Sequence, residues 1–393
     1  LRRRPGHLGP VNVVQLILLE LMVIATLVAL GRSTAVLATG IGLAVVILVV
    51  TFGRWQGRWW VEGGLLRWRY RQRSRSARLA AADHRLAPLH DLVPNLTVQT
   101  VDGPEDVPVG VGADGTGWFA IVAVEPSDGV RPAPASIPLD LLSRAVRDVE
   151  QPGAVVQVVT HTVPAPTTTD GGPPCDASYS ELLAPLGGAA PADQVTWVAV
   201  RLDARAVAEA TLGGPATTPP KESTQVPAAL MTVVRRVDKA LRRSGCPTQI
   251  LDADGLLDAL VRSVDLDPHE KVEWAEGREE WRAWRSASLM HACFWLRGWP
   301  AADETSTLLA RLAVTPGAFT SIATVLDPVS ADAAPDTAEV RCLVRVAASE
   351  AALPDSCARL TQTAADAGAV LFRLDGEQAP AVYASAPTGG GAP

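Results

Sequence analysis

Two stretches decide how most of this chain folds. They are Gln194–Leu202 (QVTWVAVRL) and, after a Pro- and Thr-rich gap, Val226–Ser244 (VPAALMTVVRRVDKALRRS). The first is a β-rich run with the composition of a buried strand. In the second, Leu230, Val233, Val234, Val237 and Leu241 recur at helical spacing. Its polar side carries Arg235, Arg236, Lys239, Arg242 and Arg243. Gly245 stands just past the end, where a helix stops readily. A strand followed by an amphipathic helix points to an α/β domain.

Working outward, the alternation continues. Strands are predicted over Leu96–Val101, Gly117–Glu125 as its hairpin partner, Ala154–Val163, Thr248–Leu251 and Ser288–Leu296. Further strands fall at Phe319–Leu326, Glu339–Val346, Val370–Leu374 and Ala381–Ser385. Helices are predicted over Leu139–Glu150, Gly255–Val264, Glu304–Leu312 and Pro354–Ala367. This reads as an α/β sandwich with mixed sheets over residues 86–386. Long loops fall near 163–193 and 211–225, another spans 327–338, and residues 387–393 form a flexible tail. No repeat of fixed period is visible.

The first 85 residues differ in kind. Val13–Leu30 and Ala35–Phe52 are apolar runs, each close to the ~20 residues a membrane helix needs. Only Gly31–Thr34 separate them, so residues 1–54 read as a two-helix transmembrane hairpin with spans at about 13–30 and 35–52. A signal peptide would show one such run and a cleavage site. Arg2, Arg3 and Arg4 precede the first span, and eight arginines from Arg54 to Arg78 follow the second, against Arg32 between them. The positive-inside rule then puts both termini in the cytoplasm. Residues 55–85 form a juxtamembrane Arg/Trp-rich segment. Arg54, Trp55, Arg58, Trp59, Trp60 and Trp68 are its candidate interfacial anchors, beside membrane lipids. Within the spans, Glu20 is a costly intramembrane carboxylate, read as a hydrogen-bonding group for a neighbouring helix. Gly40, Gly42 and Ala44 thin the second helix for close packing.

Composition agrees with an anchored domain. The 393 residues are 48% apolar, with 32 Gly and 31 Pro, which excludes collagen-like, coiled-coil and wholly disordered classes. Residues 1–78 carry twelve Arg against Glu20 and Glu62, a balance of +10; with −7 overall, the remainder carries −17. Five cysteines without a Cys-x-x-Cys argue against a disulfide scaffold or zinc ribbon and fit a reducing compartment.

Motifs for chemistry are sparse. Gly110-x-Gly112-x-x-Gly115 lacks the strand before and helix after that a dinucleotide site needs, so Asp114-Gly115 reads as a hairpin turn. No phosphate-binding G-x-x-x-x-G-K-[ST] and no G-x-S-x-G occur. Asp252-Ala-Asp254 follows a strand. It reads first as a helix cap. It also keeps open a membrane-tethered, sugar-nucleotide-dependent transferase, in which both carboxylates would hold a divalent metal. His291 and Cys293 share a strand face and read as core rather than as a nucleophile pair. Trp274, Trp281, Trp284, Trp295 and Trp299 read as a core and interface stripe, not a nucleic-acid surface, given the acidic charge.

Several segments taken together resemble a known family. They are the N-terminal double span with its Arg/Trp tract, Thr196–Asp203 (TWVAVRLD) and the basic helix ending Arg242-Arg243-Ser244-Gly245. Glu280–Arg285 (EWRAWR) and the tail from Arg373-Leu374-Asp375-Gly376 to Gly391 complete the set. In this order they resemble the EccE family of bacterial type VII (ESX) secretion systems, over essentially the whole chain. The resemblance implies a non-enzymatic structural subunit of an inner-membrane core complex with EccB, EccC and EccD. EccC would supply the ATPase motor. It implies no cofactor, no metal, no small-molecule substrate and no catalytic residues. It also implies a cytosolic fold likened to glycosyltransferases.

Overall fold

The computed structural model describes residues 7–8, 11–29, 34–55, 58–73, 85–103, 107–125, 137–165, 181, 191–213, 222–266, 279–328 and 338–391. The chain divides into two compact units, Leu1–Ser76 and Ala77–Pro393.

In the first unit, α1 (Val13–Ala29) and α2 (Thr34–Phe52) pack as neighbours. The Thr26 hydroxyl donates to the Met22 carbonyl at 2.8 Å, so it is satisfied within its own helix. Two large apolar faces lie open, with Ile17, Leu21, Ile24 and Leu27 on α1 and Ile41, Val45, Val46 and Val49 on α2 all exposed. Among the described residues no helix is long and apolar enough to cross a membrane. α1 has 17 residues, and the side chains described in α2 run only from Ala38 to Val49. The α2 helix ends at Gly53, whose amide donates to Val49 O at 2.7 Å. A Cβ there would run into Val49 O and the Trp60 indole, so glycine is needed for the close approach. Helix α3 (Trp60–Arg73) follows.

The second unit is built on one 11-stranded sheet. Its strands are β1 (Thr97–Asp102), β2 (Pro108–Ala113), β3 (Gly117–Val124), β4 (Ala154–Pro164), β5 (Pro191–Asp203) and β6 (Thr248–Ile250). The others are β7 (Trp284–Arg285), β8 (Met290–Gly298), β9 (Phe319–Pro328), β10 (Ala338–Ala348) and β11 (Val370–Arg373). The order is β7-β8-β10-β9-β4-β5-β3-β2-β1, with β6 also on β3 and β11 also on β8. Every pairing among these strands is antiparallel, so the expectation of mixed sheets gives way to one antiparallel sheet. The crossover helices do generate parallel strands, but an antiparallel strand always lies between them. β3 and β4 run parallel around β5, and β8 and β9 around β10.

The helices are α4 (Leu86–Leu89), α5 (Leu139–Arg147), α6 (Ala204–Gly213), α7 (Glu222–Arg243), α8 (Ala253–Val264), α9 (Thr305–Ala313), α10 (Leu353–Asp366) and α11 (Gln378–Ser385). Strand periodicity sorts them into layers. On one face Val156, Val198, Val200, Ile322, Val344 and Val346 meet α5, α7, α9 and α10. On the other, Phe119, Ile121, Val159, Trp197, Cys293 and Ala323 meet α8 and α11. Leu230, Val233, Val234, Val237 and Leu241 of α7 are fully buried, each contributing about 1.5–3 kcal/mol of apolar burial. Gly245 ends the element with φ +86°, a conformation costly for any residue with a Cβ.

Two halves of this unit share one plan. β3-α5-β4-β5-α6-α7-β6 is followed by α8, and β8-α9-β9-β10-α10-β11 by α11, the extra α6 being the one insertion between the two plans among the described residues. Each gives the strand order fourth-first-third-second, and the two sheets join where β4 meets β9. A repeat therefore exists in the topology although no fixed period shows in the sequence. Identities at equivalent positions are as sparse as Leu251-Asp252 and Leu374-Asp375, at the turns into α8 and α11. The Leu251 amide donates to Ile121 O and the Leu374 amide to Cys293 O, both at 3.0 Å and each to the first strand of its own half.

Four expectations are corrected. Gly117–Glu125 is not the direct hairpin partner of the first strand, because β2 intervenes. Ala381–Ser385 is helical, within α11. Within the expected tail 387–393, Thr388 and the glycines to Gly391 are packed rather than flexible. Thr388 is fully buried, and the Gly389 and Gly390 amides donate to Gln157 Oε1 at 2.7 and 3.0 Å. Helix α7 begins at Glu222, a turn before the expected Val226, which moves Pro227 from the first turn to the interior of the helix.

Candidate functional site

The sequence-derived membrane residues lie in the first unit. Glu20 is exposed on α1, Gly40 and Ala44 are half-buried on α2, and Gly42 is exposed. A Cβ on Gly42 would meet nothing within 4 Å, so this glycine is not a contact point between α1 and α2. Arg54 and Trp55 pair as two-residue strands with Trp59 and Arg58, and their side chains lie outside the described residues. Trp60 and Trp68 are exposed on α3. Arg2, Arg3, Arg4, Arg75 and Arg78 also lie outside the described residues, as does Trp274.

Asp252 caps α8. Its Oδ1 accepts from the Gly255 amide at 2.8 Å, satisfying one of the orphan donors of the first turn. Arg85 bonds Asp254 at 2.5 Å and Asp258 at 3.0 Å, tying the start of α8 to the segment before α4. The two carboxylates thus have structural partners. Among the described residues no group of three or more His, Cys, Asp or Glu could hold a metal ion. The glycine-rich run is also structural: Asp114-Gly115 makes the β2–β3 turn, with Gly115 at φ +80°. A Cβ on Gly110 would collide with the Asp252 backbone, and one on Gly112 with the Phe119 ring.

A buried concentration of polar groups among the described residues is one that sequence reasoning missed. It lies buried between the sheet and the layer of α8 and α11. Arg345 of β10 is fully buried. Its Nη2 donates to Ser263 O at 2.7 Å, Ser263 Oγ at 3.1 Å and Ser321 Oγ at 3.2 Å. Its Nε donates to Ser385 Oγ at 2.9 Å, and its Nη1 to His291 Nδ1 at 3.1 Å. None of these partners is a carboxylate. Burial pushes the guanidinium down to about 10, against smaller opposing influences of Cys293 and Asp265. The same environment keeps the imidazoles neutral. Burial, then the charge of Arg345, pushes His161 down to about 3 and His291 well below its ordinary value. His291 therefore accepts through Nδ1, and among the described residues its Nε2 has no hydrogen-bond partner. Burial drives the Cys293 thiol up to about 12, so it is held as a thiol and not as a nucleophile.

Arg201 of β5 anchors a second network. It pairs with the buried Asp114 at 2.8 and 2.9 Å and bonds Thr116 Oγ1 at 2.6 Å and Thr388 O at 3.2 Å. Asp114 also accepts from the Thr116 and Gly117 amides and from the Tyr383 hydroxyl, each at 2.9 Å. Burial raises the Asp114 carboxyl, but Arg201 and Thr116 outweigh it and the net shift is downward. Burial and then the Asp114 charge push Tyr383 well above its ordinary value. The signal that could have found both networks was an arginine inside an apolar strand, in VAVRLD and in CLVRVA. Of the tryptophan stripe, Trp284 is fully buried in an edge-to-face contact with His291, Trp281 and Trp295 are half-buried, Trp299 is exposed and Trp274 lies outside the described residues.

These networks hold elements of the larger unit together. Residues 190–296 match the family described as "Putative type VII ESX secretion system translocon, EccE", a span running from β5 through α7, β6 and α8 to β8. No curated protein matches the chain. Over this span, across the middle of the sheet, the chain is similar to the EccE family.

Proposed function

We propose that this protein is a non-catalytic structural subunit of the type VII ESX translocon, stabilising an inner-membrane core with EccB, EccC and EccD for protein export. The family match over residues 190–296 carries the reading. In it, the hairpin of α1 and α2 spans the inner membrane with both termini in the cytoplasm. Two open apolar helix faces support this, since such surface is stable only against lipid or partner helices. Glu20, Gly40, Gly42 and Ala44 would then face partner helices, with Gly42 offering an outward surface. Arg54, Trp55, Arg58, Trp59, Trp60 and Trp68 would fix depth at the lipid headgroups.

Mild-detergent affinity purification of the tagged full-length protein, read by mass spectrometry and native electrophoresis, tests the proposal. The expected result is co-elution of a large membrane complex containing an FtsK/SpoIIIE-like ATPase. A lone small oligomer, stable in the same detergent, would overturn it.

A further inference from the structure

We infer that the two topological repeats of the larger unit are locked together by a crossed clasp, with Ala386–Gly391 as its latch. The seam between them is the pairing of β4 with β9, seven residue pairs from Val156↔Leu326 to Thr162↔Thr320. Val159↔Ala323 sits at the centre of that run, where a pseudo-twofold axis through the sheet would pass. The helix that ends each repeat lies on the same face of the sheet, and side chains from the other repeat hold its C-terminal end. Arg345, on β10 of the second repeat, caps the Ser263 carbonyl at the end of α8 in the first. In return, Gln157 on β4 of the first repeat donates to Ala384 O of α11 in the second at 2.7 Å. Arg201 on β5 of the first repeat holds Thr388 O beyond α11. A cation or donor at a helix C-terminus complements unsatisfied carbonyls and the negative end of the dipole, so the geometry is favourable in both directions.

The latch fits because it has no side chains where the clasp is tightest. A Cβ on Gly389 or Gly391 would collide with the Arg201 side chain, and one on Gly390 with Val325. Tyr383, bonded to Asp114, and Thr388, whose hydroxyl donates to Tyr383 O at 3.0 Å, secure its start. Gln157 uses both ends of its amide on this segment, donating to Ala384 O and accepting from Gly389 and Gly390. Backbone strands alone would join the repeats along one seam. The clasp adds a second connection above the sheet, in a buried layer where each lost partner leaves an unsatisfied polar group.

Hydrogen–deuterium exchange on the full-length protein in detergent tests this. Arg345→Lys shortens the fork that reaches α8, and about tenfold faster exchange is expected over residues 259–266, in the opposite repeat. Arg201→Lys should do the same over residues 383–391. Gly389→Ala displaces the latch while both arginines stay in the sequence, its Cβ pressing on the Arg201 side chain. It should accelerate exchange at Thr116 and Gly117, the turn that the network reaches in the first repeat. Gly389→Ala is the decisive variant where a lysine variant fails to fold. Faster exchange confined to the repeat that carries each substitution, with the opposite repeat unchanged, would overturn the clasp.

Discussion

Asp114 and Arg201 form a buried ion pair whose members are almost inaccessible to water, and this fixes what their substitution does. Asp114→Ala would leave a buried guanidinium without its counter-charge, at a cost of about 3–5 kcal/mol. Tyr383→Phe removes a single neutral donor from the same carboxylate and should cost about 1 kcal/mol. Urea unfolding midpoints separate the two, and equal effects would contradict the central place of the pair. The buried imidazoles set the acid response. His161 and His291 have folded values below 6.5, so the unfolded chain takes up protons there before the folded protein does. Their stabilising effect is complete above pH 6.5 and is lost progressively as pH falls from 6.5 towards 3. Asp114 adds a further loss below about pH 4, because its folded value is depressed. His161→Gln should therefore flatten the dependence of the unfolding midpoint between pH 6.5 and 4, and an unchanged slope would exclude His161 as its source.

Helix ends are the elements that the sequence specifies best here. Asp252 was legible as a cap and Gly245 as a stop, because each acts on its immediate neighbours. Asp252→Ala should destabilise by about 1 kcal/mol through the lost Gly255 amide bond. Gly245→Ala should cost about 1 kcal/mol or more, since alanine disfavours φ +86°. Thermal unfolding of each variant measures both. The misread elements have a common cause in burial. Helix α11 is buried on nearly every side from Gln378 to Ser385, so no polar face imposes a 3.6-residue period and AVYAS passes for a strand. β2 reads as a loop because Pro108, Gly110 and Gly112 are turn formers by composition. The two glycines are there to let Asp252 and Phe119 approach. The Gly-rich end of the chain reads as a tail for the same reason, and its contacts with Gln157 and Arg201 lie far away in sequence. Long-range partners of this kind leave only a faint trace, a single arginine in an apolar strand.

Across the whole molecule, the two units place opposite demands on solvent. The larger unit buries its apolar residues in three clusters around one sheet. The smaller exposes Ile17, Leu21, Ile24, Leu27, Ile41, Val45 and Val46, a surface with no stable solution in water. In the proposed role, the smaller unit would reside in the bilayer and the larger would bear on neighbouring subunits. Nine strands side by side at about 4.8 Å spacing make that second part a platform roughly 40 Å across. The membrane reading commits to an outcome at Glu20. A carboxylic acid among hydrocarbon chains is costly unless it is hydrogen-bonded. If it serves a partner helix, Glu20→Gln preserves a donor and an acceptor and Glu20→Leu preserves neither. Carbonate washing should leave both variants in the membrane fraction, because the apolar length of residues 13–52 does not change. Complex recovered in mild detergent should fall several-fold for Glu20→Leu and much less for Glu20→Gln, in line with roughly 1–2 kcal/mol for one interhelical hydrogen bond. Equal recovery from wild type and both variants would remove Glu20 from the interface. Release of the full-length protein by carbonate would remove the hairpin from the membrane altogether.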